Sequence, residues 1–251
     1  DVGHTLVVGP TGAGKSVLLS LLAMQWRRYK DAQVFIFDKG GSARAAIRAM
    51  GGEAFDLGAE TTPAFQPLAR IDDPKERALA LDWVMVLLTQ EGADETPELK
   101  EKLWAALNNL SDAPIEQRHL TGLRLLVQDS HVQSALLPYT QDGSHGAIFD
   151  GAAERLELSD ILLFEMEEIM ARPKAAAPAL LHLFQRLEER FDGRPTLLIL
   201  DEAWVFLDSP LFAARIREWL KTLRKKNVAV VFATQSLADI ADSNIAPALI
   251  E

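Results

Sequence analysis

The chain has 251 residues, 48% hydrophobic and 25% charged, with a formal net charge of −10 and no cysteine. Disulfides and thiolate metal sites are therefore excluded, and the scattered histidines His4, His119, His131, His145 and His182 lack the spacing of a metal site. The acidic balance disfavours broad nonspecific duplex binding, which runs on Lys and Arg, and no apolar run reaches the about 20 residues that span a bilayer.

Taken in order, His4 to Gly9 reads as a short buried strand. A helix follows from Lys15 to about Tyr29, with Leu18, Leu22, Trp26 and Tyr29 at helical spacing on its expected inner face. Gln33 to Asp38 reads as a second buried strand ending in a carboxylate. Ser42 to Met50 is a short helix stopped by Gly51 and Gly52, and Glu53 to Leu57 a third strand. From about Asp73 to Gln141 only helical periodicity remains. Leu99, Leu103, Leu107 and Leu110 mark one face, with Pro97 at a first helical position, and Leu120, Leu123 and Val127 mark another. Strand logic resumes at Asp160 to Glu165. A helix face of Leu180, Phe184, Leu187 and Phe191 precedes the apolar strand Thr196 to Asp201. Ser209 and Pro210 open a helix with Phe212, Ile216, Trp219, Leu220 and Leu223 inward. Val228 to Ala233 is the next strand, and Ser236 begins a short final helix. Strands alternating with helices imply a parallel sheet covered on both faces. The expected division is a nucleotide-binding core at 1–65 and 145–251 and an inserted helical subdomain at 66–144. The chain opens only a few residues before its first motif, which reads as a piece of a longer protein.

That motif is Gly9-Pro10-Thr11-Gly12-Ala13-Gly14-Lys15-Ser16, the G-x-x-x-x-G-K-[ST] phosphate loop. Its glycines allow backbone N–H groups to turn inward around phosphates, and the following helix aims its positive end at the same charge. Lys15 is expected to reach the β/γ-phosphates, and Ser16 to offer its hydroxyl to Mg2+. Far along the chain, the strand Thr196 to Leu200 ends in Asp201 and Glu202. Asp201 suits the Mg2+ contact, and Glu202 suits the polarising of water as general base. Gln235, at the tip of the strand before Ser236, is a candidate sensor of the γ-phosphate. Asp38-Lys39-Gly40-Gly41 matches the D-x-x-G of GTPases, but the N-K-x-D guanine signature is missing from the chain, which leaves ATP as the expected nucleotide. Asp38 is expected to order water or a loop at the sheet's carboxyl edge. Arg217, Lys221 and Arg224, extended by Lys225 and Lys226, form a basic stripe. It reads either as a solvated helix end or as the source of an arginine finger for a neighbouring subunit, with Arg224 the best single candidate.

Together these stretches resemble the C-terminal ATPase domain of the VirB4/TrbE family of type IV secretion and conjugation ATPases. The phosphate loop is joined by Phe37-Asp38-Lys39, Ala49-Met50-Gly51-Gly52, His145-Gly146-Ala147-Ile148-Phe149-Asp150 and Phe164-Glu165-Met166-Glu167. Leu200-Asp201-Glu202-Ala203-Trp204, Leu223-Arg224-Lys225-Lys226-Asn227 and Ala233-Thr234-Gln235-Ser236 complete the series in family order. The resemblance implies a RecA-like fold with a helical insert and ATP and Mg2+ as ligands. It implies assembly into hexamers with other secretion components, at the cytoplasmic side of the inner membrane. It implies ATP hydrolysis powering pilus assembly and substrate transfer. Two rival readings share the same residues: a DNA pump of the coupling-protein or HerA/FtsK type, and an assembly scaffold that binds nucleotide with little turnover.

Overall fold

The computed structural model describes residues 3–59, 64–154, 158–202 and 210–236, without the side chains of 210–215. The chain divides into two compact units. The first takes Asp1–Leu57, Leu158–Glu168 and Gln185–Glu251, and the second takes Gly58–Glu157 and Ile169–Phe184.

The first unit is α/β. Its described strands are β1 (Thr5–Val8), β2 (Gln33–Asp38), β3 (Glu53–Asp56), β4 (Ile161–Glu165), β5 (Thr196–Leu200) and β6 (Val228–Thr234). All pair in parallel, in the order β1-β6-β5-β2-β4-β3. β2, β5 and β6 are buried along their whole length, as a parallel sheet covered on both faces requires. Alternation along a strand decides what each face meets. Val34, Ile36, Leu197, Ile199, Ala229 and Val231 pack with Leu19 and Ala23 of α1 (Lys15–Trp26) and Ile47 of α2 (Arg44–Ala49). On the intervening positions, Phe37 stacks on Phe164, and Phe35 meets Phe191, which contacts Trp219 edge-on. Gly52 is demanded by packing, because a Cβ there would lie 2.6 Å from the Ile161 carbonyl oxygen.

α1 presents the expected face only in part, since Leu22 and Trp26 pack against the core and Leu18 and Tyr29 do not. Leu19 and Ala23 point inward, whereas Leu18 is 44% and Tyr29 41% exposed; Leu22 and Trp26 are half-buried.

The second unit holds α3 (Pro74–Gln90), α4 (Pro97–Ser111), α5 (Leu120–Leu126), α6 (Ser130–Leu136) and α7 (Gly146–Phe149). Helix starts are written locally. Asp73 accepts from the Lys75 amide, Thr96 from Leu99, and Asp129 from His131 and Val132, with Pro74 and Pro97 in the first turns. The unit is wider than the stretch 66–144 expected for the insert. It begins at Gly58 and also claims residues 169–184, which include most of α9 (Pro173–Glu188). The reason lies in its packing: Trp83 Nε1 donates to the Pro178 carbonyl at 2.9 Å, His182 pairs with Glu154 at 3.0 Å, and the Phe65 and His182 rings meet at 5.1 Å. Between the two helical stretches, α8 is the single turn Glu167–Met170.

The expectations at Ala203, Trp204 and Ser209, the inward Phe212 side chain and the helix after Ser236 lie outside the described residues.

Candidate nucleotide site

The phosphate loop leaves β1 and enters α1 at the carboxyl edge of the sheet. The Gly9 amide donates to the Thr234 carbonyl at 3.2 Å, tying the loop's first residue to the end of β6. Gly12 and Gly14 sit at φ +83° and +85°, the left-handed region that side-chain-bearing residues avoid. Gly14 is the cap of α1, no side chain caps the helix, and no acid lies in its first turn. The helix therefore offers its N-terminal amides and dipole to an anion. Lys15 Nζ lies over the loop, donating to the Gly9 carbonyl at 2.5 Å and to Pro10 at 3.3 Å.

Facing the loop are the ends of β5 and β6. The Asp201 amide donates to the Phe37 carbonyl at 2.9 Å, which fixes the strand end, and the Asp201 carboxylate accepts from the Glu202 amide at 3.0 Å. Asp201 is 6% exposed. Burial pushes its carboxyl up to about 6. The Asp38 and Glu202 charges add to the rise, while the Glu202 amide and the Lys15 ammonium oppose it. Glu202 turns away through φ +54°, a left-handed conformation rare outside glycine. Its Oε1 accepts from Gln235 Nε2 at 2.9 Å, and Gln235 Oε1 accepts from Thr11 Oγ1 at 3.1 Å. Three segments distant in sequence thus meet in one hydrogen-bonded series: loop threonine, strand-tip amide and strand-end carboxylate.

Ser16 is the second residue of α1 and half-buried. Asp38, 1% exposed, accepts from Ser42 Oγ at 3.0 Å and the Ala43 amide at 2.9 Å through one oxygen; the other, Oδ1, is buried without a partner. A buried carboxylate raised in pKa beside an orphaned carboxylate oxygen suits a nearby divalent cation. No group of three or more acids or histidines able to hold a metal exists among the described residues. Mg2+ takes one or two carboxylates and completes its shell with waters and phosphate oxygens, so it does not require such a cluster.

Arg224 is not brought to this site within its own chain. α10 (Pro210–Thr222) ends before it, and Arg224 lies on the 3-10 turn Leu223–Lys226, ahead of β6. The whole of β6, about 20 Å at 3.3 Å per residue, separates it from Gln235. His4, read from the sequence only as a strand start, makes two tethering contacts. Its Nδ1 accepts from the Val230 amide at 3.2 Å and its Nε2 contacts the Leu220 carbonyl at 3.0 Å, so the neutral ring ties β1 to β6 and α10. Burial lowers its pKa, and the Leu220 bond partly offsets this. A lone histidine at a strand's entry gives no sequence signal for such a tether.

No protein-family model matches the chain. Over its full length it is 41% identical to the conjugal transfer protein TrbE of Rhizobium radiobacter, covering 31% of that protein. It is also 31% identical to the type IV secretion system protein virB4 of Bartonella henselae, covering 32% of it. The chain spans about a third of the length of these curated relatives. Among solved structures, VirB4 of Thermoanaerobacter pseudethanolicus superposes on 98% of the chain with a TM-score of 0.72 at 20% identity, matching 72% of that chain. The plasmid coupling protein TrwB, in complex with the GTP analogue GDPNP, does so with a TM-score of 0.63 at 19% identity, matching 68% of its chain. These likenesses establish the RecA-like P-loop fold. Along its whole length, then, the chain is a homologue of part of the TrbE and VirB4 proteins, and the family resemblance read from its motifs holds.

Proposed function

We propose that the chain is an ATPase motor: it binds ATP with Mg2+ at residues 9–16 and hydrolyses it, driving conjugative or type IV secretion transfer within a longer protein. The observation that carries this reading is the series Thr11–Gln235–Glu202, which joins the phosphate loop to a strand-end carboxylate. Loop amides and the α1 N-terminus bind the phosphates, and Lys15 moves from the loop carbonyls to the β/γ-phosphates. Ser16 and Asp201 would hold Mg2+, which when bound neutralises phosphate charge. Asp38, beside Asp201, would order water at the sheet's carboxyl edge. Glu202 takes the proton of the attacking water, and Gln235 holds that carboxylate and reads the γ-phosphate. Arg224 acts on a neighbouring copy's nucleotide in a hexameric ring, since it lies at the far end of β6 from its own site. The ring works with other secretion components at the cytoplasmic face of the inner membrane.

Mg-ATP turnover measured against protein concentration, with Lys15→Ala in parallel, tests this. Specific activity is expected to rise with concentration as neighbours complete each site, and Lys15→Ala to fall to background. Wild-type turnover no higher than that of Lys15→Ala would leave only a nucleotide-binding scaffold. Strong stimulation by duplex DNA with steep salt dependence would move the reading to a DNA pump; the 31% identity to a type IV secretion system virB4 supports the secretion reading.

A further inference from the structure

The element Phe164-Glu165-Met166-Glu167 has no part in the chemistry above, yet its two glutamates line a second cleft on the same sheet. Gly40, Gly41, Arg44, Asp56, Glu165, Glu167 and Glu168 line this cavity of about 470 Å³. It lies where β2, β4 and β3 end side by side, with Asp38 in register with Glu165 and Asp56 with Glu165. Glu165, 8% exposed, is anchored through one oxygen, Oε1, which accepts from the Gly40 amide at 3.0 Å and the Glu167 amide at 3.1 Å. Its other oxygen, Oε2, is buried and has no hydrogen-bond partner. Such an orphan is costly, and in native proteins it calls for a partner.

Among the described residues that line the cavity, the one cation does not supply that partner. Arg44 is committed to Asp56 through both terminal nitrogens. Four carboxylates thus share the cavity with one guanidinium, and Glu167 and Glu168 stand exposed at its rim. The covering loop is shaped for close approach: Gly40 and Gly41 have φ +101° and +68°, and a Cβ at Gly41 would come within 3.4 Å of Glu165 Oε2. Among the described residues no cluster of acids has metal-holding geometry, and no phosphate loop lines this cleft to complete a metal's shell, so it offers a metal ion no cage.

We propose that this cleft receives a guanidinium or ammonium group, the tip of an arginine or lysine side chain from another protein chain, with Glu165 Oε2 as its deep acceptor. Charge-assisted bonds of this kind are short and directional, and a planar guanidinium can bridge the floor and rim carboxylates. The acids surround one cavity rather than tracing a line, which suits a single charged head on an aliphatic stem better than the spaced amines of a polyamine. The cleft uses none of the nucleotide-site residues, so its test stands apart from that of ATP hydrolysis.

The test follows the Gly40 and Gly41 amide signals of the full chain by NMR at low salt, titrating with N-acetyl-arginine amide as the probe and N-acetyl-glutamine amide as the neutral control. Saturable shifts are expected with the arginine probe only. They should weaken at least tenfold in Glu165→Gln, and about two- to threefold in Glu168→Gln, a change at the exposed rim. Absence of saturable shifts in the wild type, or unchanged affinity in both variants, would overturn the proposal. Tighter binding of spermidine than of the arginine probe would overturn the assignment to a protein side chain.

Discussion

Two glutamates at the sheet's carboxyl edge, Glu202 and Glu165, are held in opposite ways. Beyond β1, β6 and β5, Glu202 is held by a side chain, Gln235, itself held by Thr11. Beyond β2, β4 and β3, Asp38 and Glu165 are held by backbone amides and a serine, and each keeps one buried oxygen without a partner. Side-chain partners can exchange a carboxylate for a phosphate oxygen within one rotamer change. Backbone partners cannot, so they fix a carboxylate as a standing acceptor. Under the two proposals above, Glu202 would serve a reaction and Glu165 reception, although both close strands of the same sheet.

Paired substitutions sharpen that contrast. Gln235→Ala removes the amide that positions Glu202, and turnover is expected to fall about 100-fold, comparable to losing one preorganised donor. Glu165→Gln should leave turnover of the isolated chain unchanged. Steady-state ATP hydrolysis by both variants decides the matter; equal losses would erase the distinction between the two glutamates.

A smaller effect concerns Asp201. Its carboxyl is raised from 3.8 to about 6, mainly by burial, so the fold carries the cost of a disfavoured charge above pH 6 and none below 3.8. At about 1.4 kcal/mol per pKa unit the cost is at most about 3 kcal/mol. Asp201→Asn, measured without nucleotide or Mg2+, is therefore expected to melt several degrees higher than wild type at pH 7.5. The advantage should fade as pH falls from 6 to 4. Thermal melts across that range check the sign; a variant less stable at pH 7.5 would contradict it.

Much of the candidate site's layout was legible because its motifs are local. The loop is eight consecutive residues, and Asp38 and Asp201 announce themselves as acids closing apolar runs. Other features were not legible, for physical reasons. In α1, Val17, Leu18, Leu21 and Met24 are as apolar as Leu19, Leu22 and Ala23, so periodicity alone cannot choose which face turns inward. The extent of the second unit was missed because the apolar face of α9 reads the same whatever it packs against. What decides it is the bond from Trp83 to the Pro178 carbonyl, set by residues nearly a hundred positions apart. The orphan oxygen of Glu165 depends on where two backbone amides point, which no side-chain pattern records.

The most direct test of the central claim compares Glu202→Gln with wild type in Mg-ATP binding and in single-turnover hydrolysis. Nucleotide affinity should be preserved, since the loop and α1 are untouched, while the hydrolytic step should slow by about 10²–10⁴-fold as the general base is lost. Hydrolysis at the wild-type rate, with the same nucleotide bound, would show that the carboxylate facing the phosphate loop is not the base.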